Sequence, residues 1–392
     1  MINAKVIGIG AAGNKAAITL IEKGILTRQN VLLLNSTLKD VPGDYKELAI
    51  NFSDTANGCG KETSIAKDIA INALKEKTVP LQSLLDPDDK MVIIVNSSEG
   101  GTGCGASAII AEYASKVLKT NVHRFVFTGF EEDGKGLKNT VEYFKNIKEE
   151  HSVQAISNKK FLADASGNKL KAEQLANDEF ARRVQILLGH IIVDSENNID
   201  DTDLFKLSTL SGFTTIEYGE LENIKNIESF HKVVSDIIDN TKSLDYEPSA
   251  KKLGVILNVS DKTKANIDYT FKTIKDKVGI PFEVYTHVQS EKEPEYIAII
   301  ASGMKMPLNE VMAIYNRFEE QKAKVNSGKD EFFSKLNVDL SDDDEGLTKI
   351  QMPSAKQMAK DEEDFFSSLG VSEPKSKEKF SNTEKKDSLG NY

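Results

Sequence analysis

The sequence predicts an α/β protein built on a largely parallel sheet. Up to about residue 300, apolar runs of strand length alternate with amphipathic runs of helix length. The apolar runs are rich in Val, Ile, Leu and Phe with little polar alternation, as strands covered on both faces require. Two glycine-rich segments each follow a strand candidate and open a helix candidate, which places a phosphate-type turn at the carboxyl ends of two strands.

The first half offers the strands KVIGI (5–9), NVLLLN (30–35), ELAINF (47–52), MVIIVN (91–96), HRFVFTG (123–129) and SVQAIS (152–157). Helices are expected between them at 13–23, 62–77, 104–118 and 137–149; in the second, Ile65, Ile69, Ile71, Ala73 and Leu74 form a broad helical stripe. A long run over 172–192 carries Leu175, Phe180, Val184, Leu187, Leu188 and Ile191 at steps of three and four, the natural connector to a second α/β unit. That unit holds FTTIEYG (213–219), GVILNV (254–259), PFEVYTHV (281–288) and YIAIIAS (296–302), with helices near 225–238 and 263–277. One more charged helix is expected from Pro307 to Lys324. The expected domains are 1–170, a central helix and connector over 171–205, a smaller domain over 206–305, a helix over 306–328, and a flexible tail over 329–392.

The chain has 392 residues, 50 basic and 61 acidic, for a net charge of −11. Counting from Lys329 to Tyr392 gives 10 basic and 15 acidic side chains, so 10 − 15 = −5 of that charge sits in the tail. Such a balance argues against direct nucleic-acid binding, which needs a basic surface. Cys59 and Cys104 make neither a disulfide framework nor a four-ligand zinc site, and no stretch approaches the length of a membrane helix. A cytoplasmic protein without a membrane partner is expected. Within the tail, DEFFSKL (330–336) and EDFFSSL (363–369) are near-copies, and paired phenylalanines among acids suit a groove on a partner.

The first glycine segment is GIGAAGN (8–14); the second is SSEGGTGCGAS (97–107), which lacks the lysine and spacing of a P-loop yet offers consecutive backbone nests and a hydroxyl at Thr102. Together and in this order they resemble the tubulin/FtsZ superfamily of polymerising GTPases, whose signature is GxGxxGN followed by GGGTG[ST]G. LSGFTT (210–215), GVILNVS (254–260) and YIAIIASGM (296–304) extend the resemblance to about residue 305. The charged C-terminus resembles that of the phage and plasmid tubulin-like proteins, the TubZ type.

The resemblance implies an N-terminal GTPase domain, a central helix, a smaller activation domain and a C-terminal helix with an acidic tail. It implies GTP/GDP as ligand, with Mg2+ carried by the nucleotide and no protein metal ligand named. Gly10, Ala11, Ala12 and Asn14 would form the first phosphate loop; Gly100, Gly101, Thr102, Gly103 and Cys104 the second. TANGCGKE (55–62) would sense the terminal phosphate and Asp133 would meet the ribose. Asn158 and Asn177 would read the guanine edge, each amide offering a donor and an acceptor. In FtsZ an NxDxxD loop completes the neighbour's site; TTIEYGE is the stretch matched to it here, making Glu217 and Glu220 the catalytic carboxylates. Nucleotide would then shield both thiols. The implied function is a cytomotive GTPase whose partners are its own copies, stacked head to tail, and an adaptor held by the tail, serving plasmid or phage DNA segregation. The alternatives are an FtsZ-like division filament or a nucleotide-bound scaffold with little turnover.

Overall fold

A computed structural model describes residues 1–53, 58–86, 88–147, 151–193, 199–222, 224, 226–259, 267–290 and 294–336. The second DEFF-type element and most of the tail lie outside the described residues. The strands are β1 (Ala4–Ile9), β2 (Val31–Asn35), β3 (Ala49–Asn51), β4 (Met91–Ser97), β5 (Asn121–Thr128), β6 (Ser152–Ser157), β7 (Gly212–Glu220), β8 (Lys252–Asn258), β9 (Glu283–Gln289) and β10 (Tyr296–Met304). The helices are α1 (Gly10–Glu22), α2 (Thr63–Lys75), α3 (Leu81–Leu84), α4 (Gly101–Glu112), α5 (Gly134–Lys145), α6 (Lys169–Leu187), α7 (Asp201–Thr209), α8 (Ile227–Asp239), α9 (Ile267–Val278) and α10 (Leu308–Leu336). Every expected strand forms.

The ten strands make one sheet in the order β3-β2-β1-β4-β5-β6-β7-β10-β8-β9. From β3 to β7 all pairings are parallel; β10 is antiparallel to both β7 and β8, and β9 is parallel to β8. Nine strands therefore share one direction, so the sheet has a carboxyl end and an amino end common to both halves of the chain. Side chains alternate across the strands into two hydrophobic clusters. Phe125 and Phe127 of β5 and Ala298 and Ile300 of β10 enter one cluster, which includes Phe180 and Val184 of α6. Val126, Ile297, Ile299 and Ala301 enter the other with Phe230 and Val234 of α8. This two-sided burial is why the strands read as unbroken apolar runs.

Helix α6 starts with Asn168 as its N-cap, accepting from the Lys171 N–H, and presents Ala172, Ala176, Phe180 and Val184 to the core. Its last turn lies at the amino end of the sheet, where the Ile2 N–H donates to the Leu188 carbonyl. The next helix, α7, has nine residues, too few to show a helical period in the sequence. The C-terminal helix runs on to Leu336, so the first DEFF-type element is helical rather than part of a tail beginning at residue 329. Among the described residues, no helix is long and apolar enough to cross a membrane.

Candidate nucleotide site

Both glycine segments turn from a strand directly into a helix at the carboxyl end of the sheet. The N-caps of α1 and α4, Ile9 and Gly100, supply no side-chain cap, and neither first turn holds an acid. By contrast α5, α6, α7 and α8 are capped by Asp133, Asn168, Asp200 and Asn226. Two helix starts thus present N–H groups and positive dipole ends to one place, as an anion requires. The geometry depends on glycine. Gly10 has φ +75°, and a Cβ there would stand 3.0 Å from the Gly103 nitrogen; at Gly13 a Cβ would lie 2.1 Å from the Val95 carbonyl oxygen.

A cavity of about 260 Å³ opens between the loops, lined by Gly10, Ala11, Ala12, Gly100, Gly101, Thr102 and Gly103, together with Asn35, Ser36 and Gly58. Thr102 and Ser36 share a hydroxyl hydrogen bond of 2.8 Å. Asn35 accepts from the Ser36 N–H through Oδ1, while its buried Nδ2 has no hydrogen-bond partner among the described residues. Asn14 is buried below the first loop with both amide atoms unpartnered, and does not line the cavity. Thr55 to Asn57 lie outside the described residues.

A second cavity, about 220 Å³, shares Ala11, Ala12 and Ser97 with the first and adds Lys15, Glu99, Gly129, Phe130, Asn158, Glu173 and Asn177. Asn158 follows β6 and Asn177 sits on α6, so residues far apart in sequence meet on one wall. The Asn158 Oδ1 is buried and unpartnered. A buried amide oxygen without a partner is costly in isolation, and here it lines a slot with Phe130.

Glu99, the acid in the second loop, turns away from the loop backbone. Its carboxylate accepts from the Glu131 N–H at 3.1 Å and fills the space that Gly129 leaves open. Burial raises its pKa above the usual carboxylate range, with Asp133 and Glu131 adding to the rise against the Glu131 N–H and Lys61. Asp133 lines neither cavity: it caps α5, accepting from the Gly136 N–H at 2.8 Å, and pairs with Lys61 at 2.6 Å. Burial works against its charge, but the Lys61 bond and the Gly136 N–H outweigh it and hold the carboxyl low.

Three expectations need correction. Cys104 faces away from the cavity, its Sγ 3.5 Å from the Asn139 carbonyl oxygen within the second core cluster, and burial pushes its pKa to about 12. It is not a phosphate-loop donor. Cys59 is buried as well, so neither thiol depends on nucleotide for shielding. The stretch TTIEYGE, matched to the family's loop, runs through β7, the strand expected over 213–219. Glu217 lies inside β7, buried, accepting from Thr215 and Thr241 and 3.8 Å from Arg183. Glu220 is exposed at the carboxyl end of β7, on the same end of the sheet as the glycine loops. Neither can extend from the opposite pole into a neighbour's loops.

A segment at the opposite end of the sheet, not singled out by its sequence above, carries the family spacing literally. NIDDTD, Asn198 to Asp203, carries the NxDxxD spacing where the chain leads from α6 into α7. Asp200 caps α7 by accepting from the Asp203 N–H at 2.8 Å; Asn198 lies outside the described residues. Asp201 and Thr202 border a cleft with Met1, Ile2 and Asn3, at the amino end of the sheet. Among the described residues, no group of three His, Cys, Asp or Glu side chains could hold a metal ion.

No family model matches the chain. It is 25% identical to the cell division protein FtsZ of Mycoplasmopsis pulmonis over 377 residues, 94% of this chain and 90% of that protein. With the tubulin-like protein TubZ of Clostridium botulinum C phage it shares 24% identity over 322 residues, covering 81% and 82% of the two chains. Among solved structures, the GTPγS-form protofilament of Bacillus thuringiensis TubZ superposes with a TM-score of 0.71 at 17% identity, covering 86% of this chain and 94% of that one.

Proposed function

We propose that the chain is a GTPase of the tubulin/FtsZ type that polymerises head to tail and completes its catalytic site at the subunit junction. The observation that carries this reading is a division of labour between the two ends of one sheet. At the carboxyl end, uncapped helix starts and the Thr102 and Asn35 donors suit a polyphosphate, and the adjoining slot, with Asn158 and Asn177 facing Phe130, suits a guanine base. Among the described residues, Asp40 is the one carboxylate that lines the phosphate-side cavity. At the amino end stand Asp200 and Asp203, whose spacing matches the loop that enters the next subunit in FtsZ.

Stacking would bring those acids over the neighbour's terminal phosphate, where they would orient the attacking water. Mg2+ would arrive on the phosphates, supplying charge neutralisation there. Ile280 and Phe282, 87% and 93% exposed, precede β9 and so stand at the same amino end, as apolar anchors for such a contact. Asn14 would support the first loop from beneath.

The cellular task has two readings, each with an observation behind it. Identity spread over nearly the whole Mycoplasmopsis FtsZ chain favours a division filament; the TubZ superposition and the long α10 favour segregation of plasmid or phage DNA through an adaptor on the tail. Electron microscopy of the purified protein with GTP and with GTPγS tests the shared core. Filaments of stacked subunits are expected with both, longer-lived with the analogue, and their absence under both would contradict the reading. Twisted pairs of strands would favour segregation, and single or bundled straight filaments division.

A further inference from the structure

The loop that walls the base-side cavity, residues 129–134, is gripped by the C-terminal helix. Phe130 lines the cavity, and Glu131 beside it has φ +62°, a conformation a residue with a side chain rarely adopts. Its side chain is only 4% exposed, and a carboxylate so buried needs paired charges. Glu131 Oε2 lies 2.8 Å from Lys159 Nζ and 2.7 Å from Arg317 Nη2 of α10; the second is an ion pair without the angle of a hydrogen bond. Lys159 adjoins Asn158, and the Glu131 N–H is the donor that holds Glu99 of the second glycine segment. One residue therefore ties the base wall, the base-reading asparagine's neighbour and the phosphate loop to the last helix.

The grip is not a single contact. Gln321, one turn beyond Arg317, donates from Nε2 to the Glu132 carbonyl at 3.2 Å. Leu137 and Val141 of α5 form a small core with Ile314 of α10, against which Tyr315 and Phe318 pack. Helix α5 begins directly after the loop, so a shift of α10 moves both the loop and its anchor.

We infer that Arg317 is a positioning residue for the nucleotide: through Glu131 it sets the wall of the base cavity, so that the docking of α10 and nucleotide affinity are coupled. This rests on the nucleotide reading above. By linkage the coupling runs both ways, and whatever draws on the chain beyond α10 would be read at the nucleotide site.

The test uses the full chain and a fluorescent GDP analogue. Arg317→Gln should weaken its affinity by about five-fold, Arg317→Lys should restore most of the loss, and Lys322→Ala, whose ammonium faces Glu319 on the same helix, should have no effect. Glu131→Gln should weaken binding too, and the double variant no further than the weaker single one. Hydrogen exchange over 308–325 should slow on adding GDP in the wild-type chain but not in Glu131→Gln, a readout that stands even if Arg317→Gln folds poorly. Wild-type affinity in Arg317→Gln, or equal exchange protection in both chains, overturns the inference while leaving the nucleotide reading intact. A wild-type chain that binds no guanine nucleotide overturns both.

Discussion

The two ends of the sheet solve opposite problems with the same element, the start of a helix. At the carboxyl end α1 and α4 begin on glycine with no acid and no side-chain cap, leaving their N–H groups for an anion. At the amino end α7 begins on Asp200, with Asp201 and Asp203 in its first turn, so its dipole is already answered by protein carboxylates. One end is built to receive negative charge and the other to present it. The two ends are complementary in charge, which is what the proposed head-to-tail contact requires.

The sharpest way to break this contrast is at the acids. Asp203→Ala should lower GTP turnover by at least about 100-fold while nucleotide affinity stays near wild type, and Glu220→Ala should leave turnover unchanged; phosphate release and nucleotide titration read both. A reversed outcome would return the catalytic role to β7. At the receiving end, Gly13→Ala forces a methyl against the Val95 carbonyl and should cost about 1–3 kcal/mol of stability. Loss of nucleotide binding should accompany it, seen as a lowered melting temperature that GTP no longer raises. Phe282→Ser should raise the concentration needed for filaments several-fold without touching nucleotide affinity, measured by sedimentation.

The smallest effect concerns Glu99. Its folded pKa is raised, so the folded chain holds its proton more tightly, and stability falls as pH climbs from the unfolded value of about 4.3 through the folded one. Glu99→Gln should therefore melt higher than wild type at pH 7, and the difference should vanish below about pH 4. A difference that persists in acid would mean that Glu99 acts by packing instead of charge.

The strands were legible because burial on both faces removes the polar alternation that makes exposed strands ambiguous. The phosphate loops were legible because close approach leaves only glycine at Gly10 and Gly13. Side-chain direction was not: successive residues of a helix point about 100° apart, so Thr102 faces the cavity and Cys104 the core. In TTIEYGE the acid spacing resembles the family's loop, but the Thr, Ile and Tyr content expected of a strand builds β7 and buries Glu217. NIDDTD shows no helical pattern, since α7 has nine residues and too few turns to show a period. There the spacing of the acids was the whole signal.

The central claim is that the hydrolytic site is divided between two subunits. Phosphate release per subunit, measured with GTP across a series of protein concentrations, tests it most directly. Almost no turnover is expected at low concentration, with a steep rise above a threshold that coincides with filament formation. Turnover per subunit that is constant across the series would contradict it.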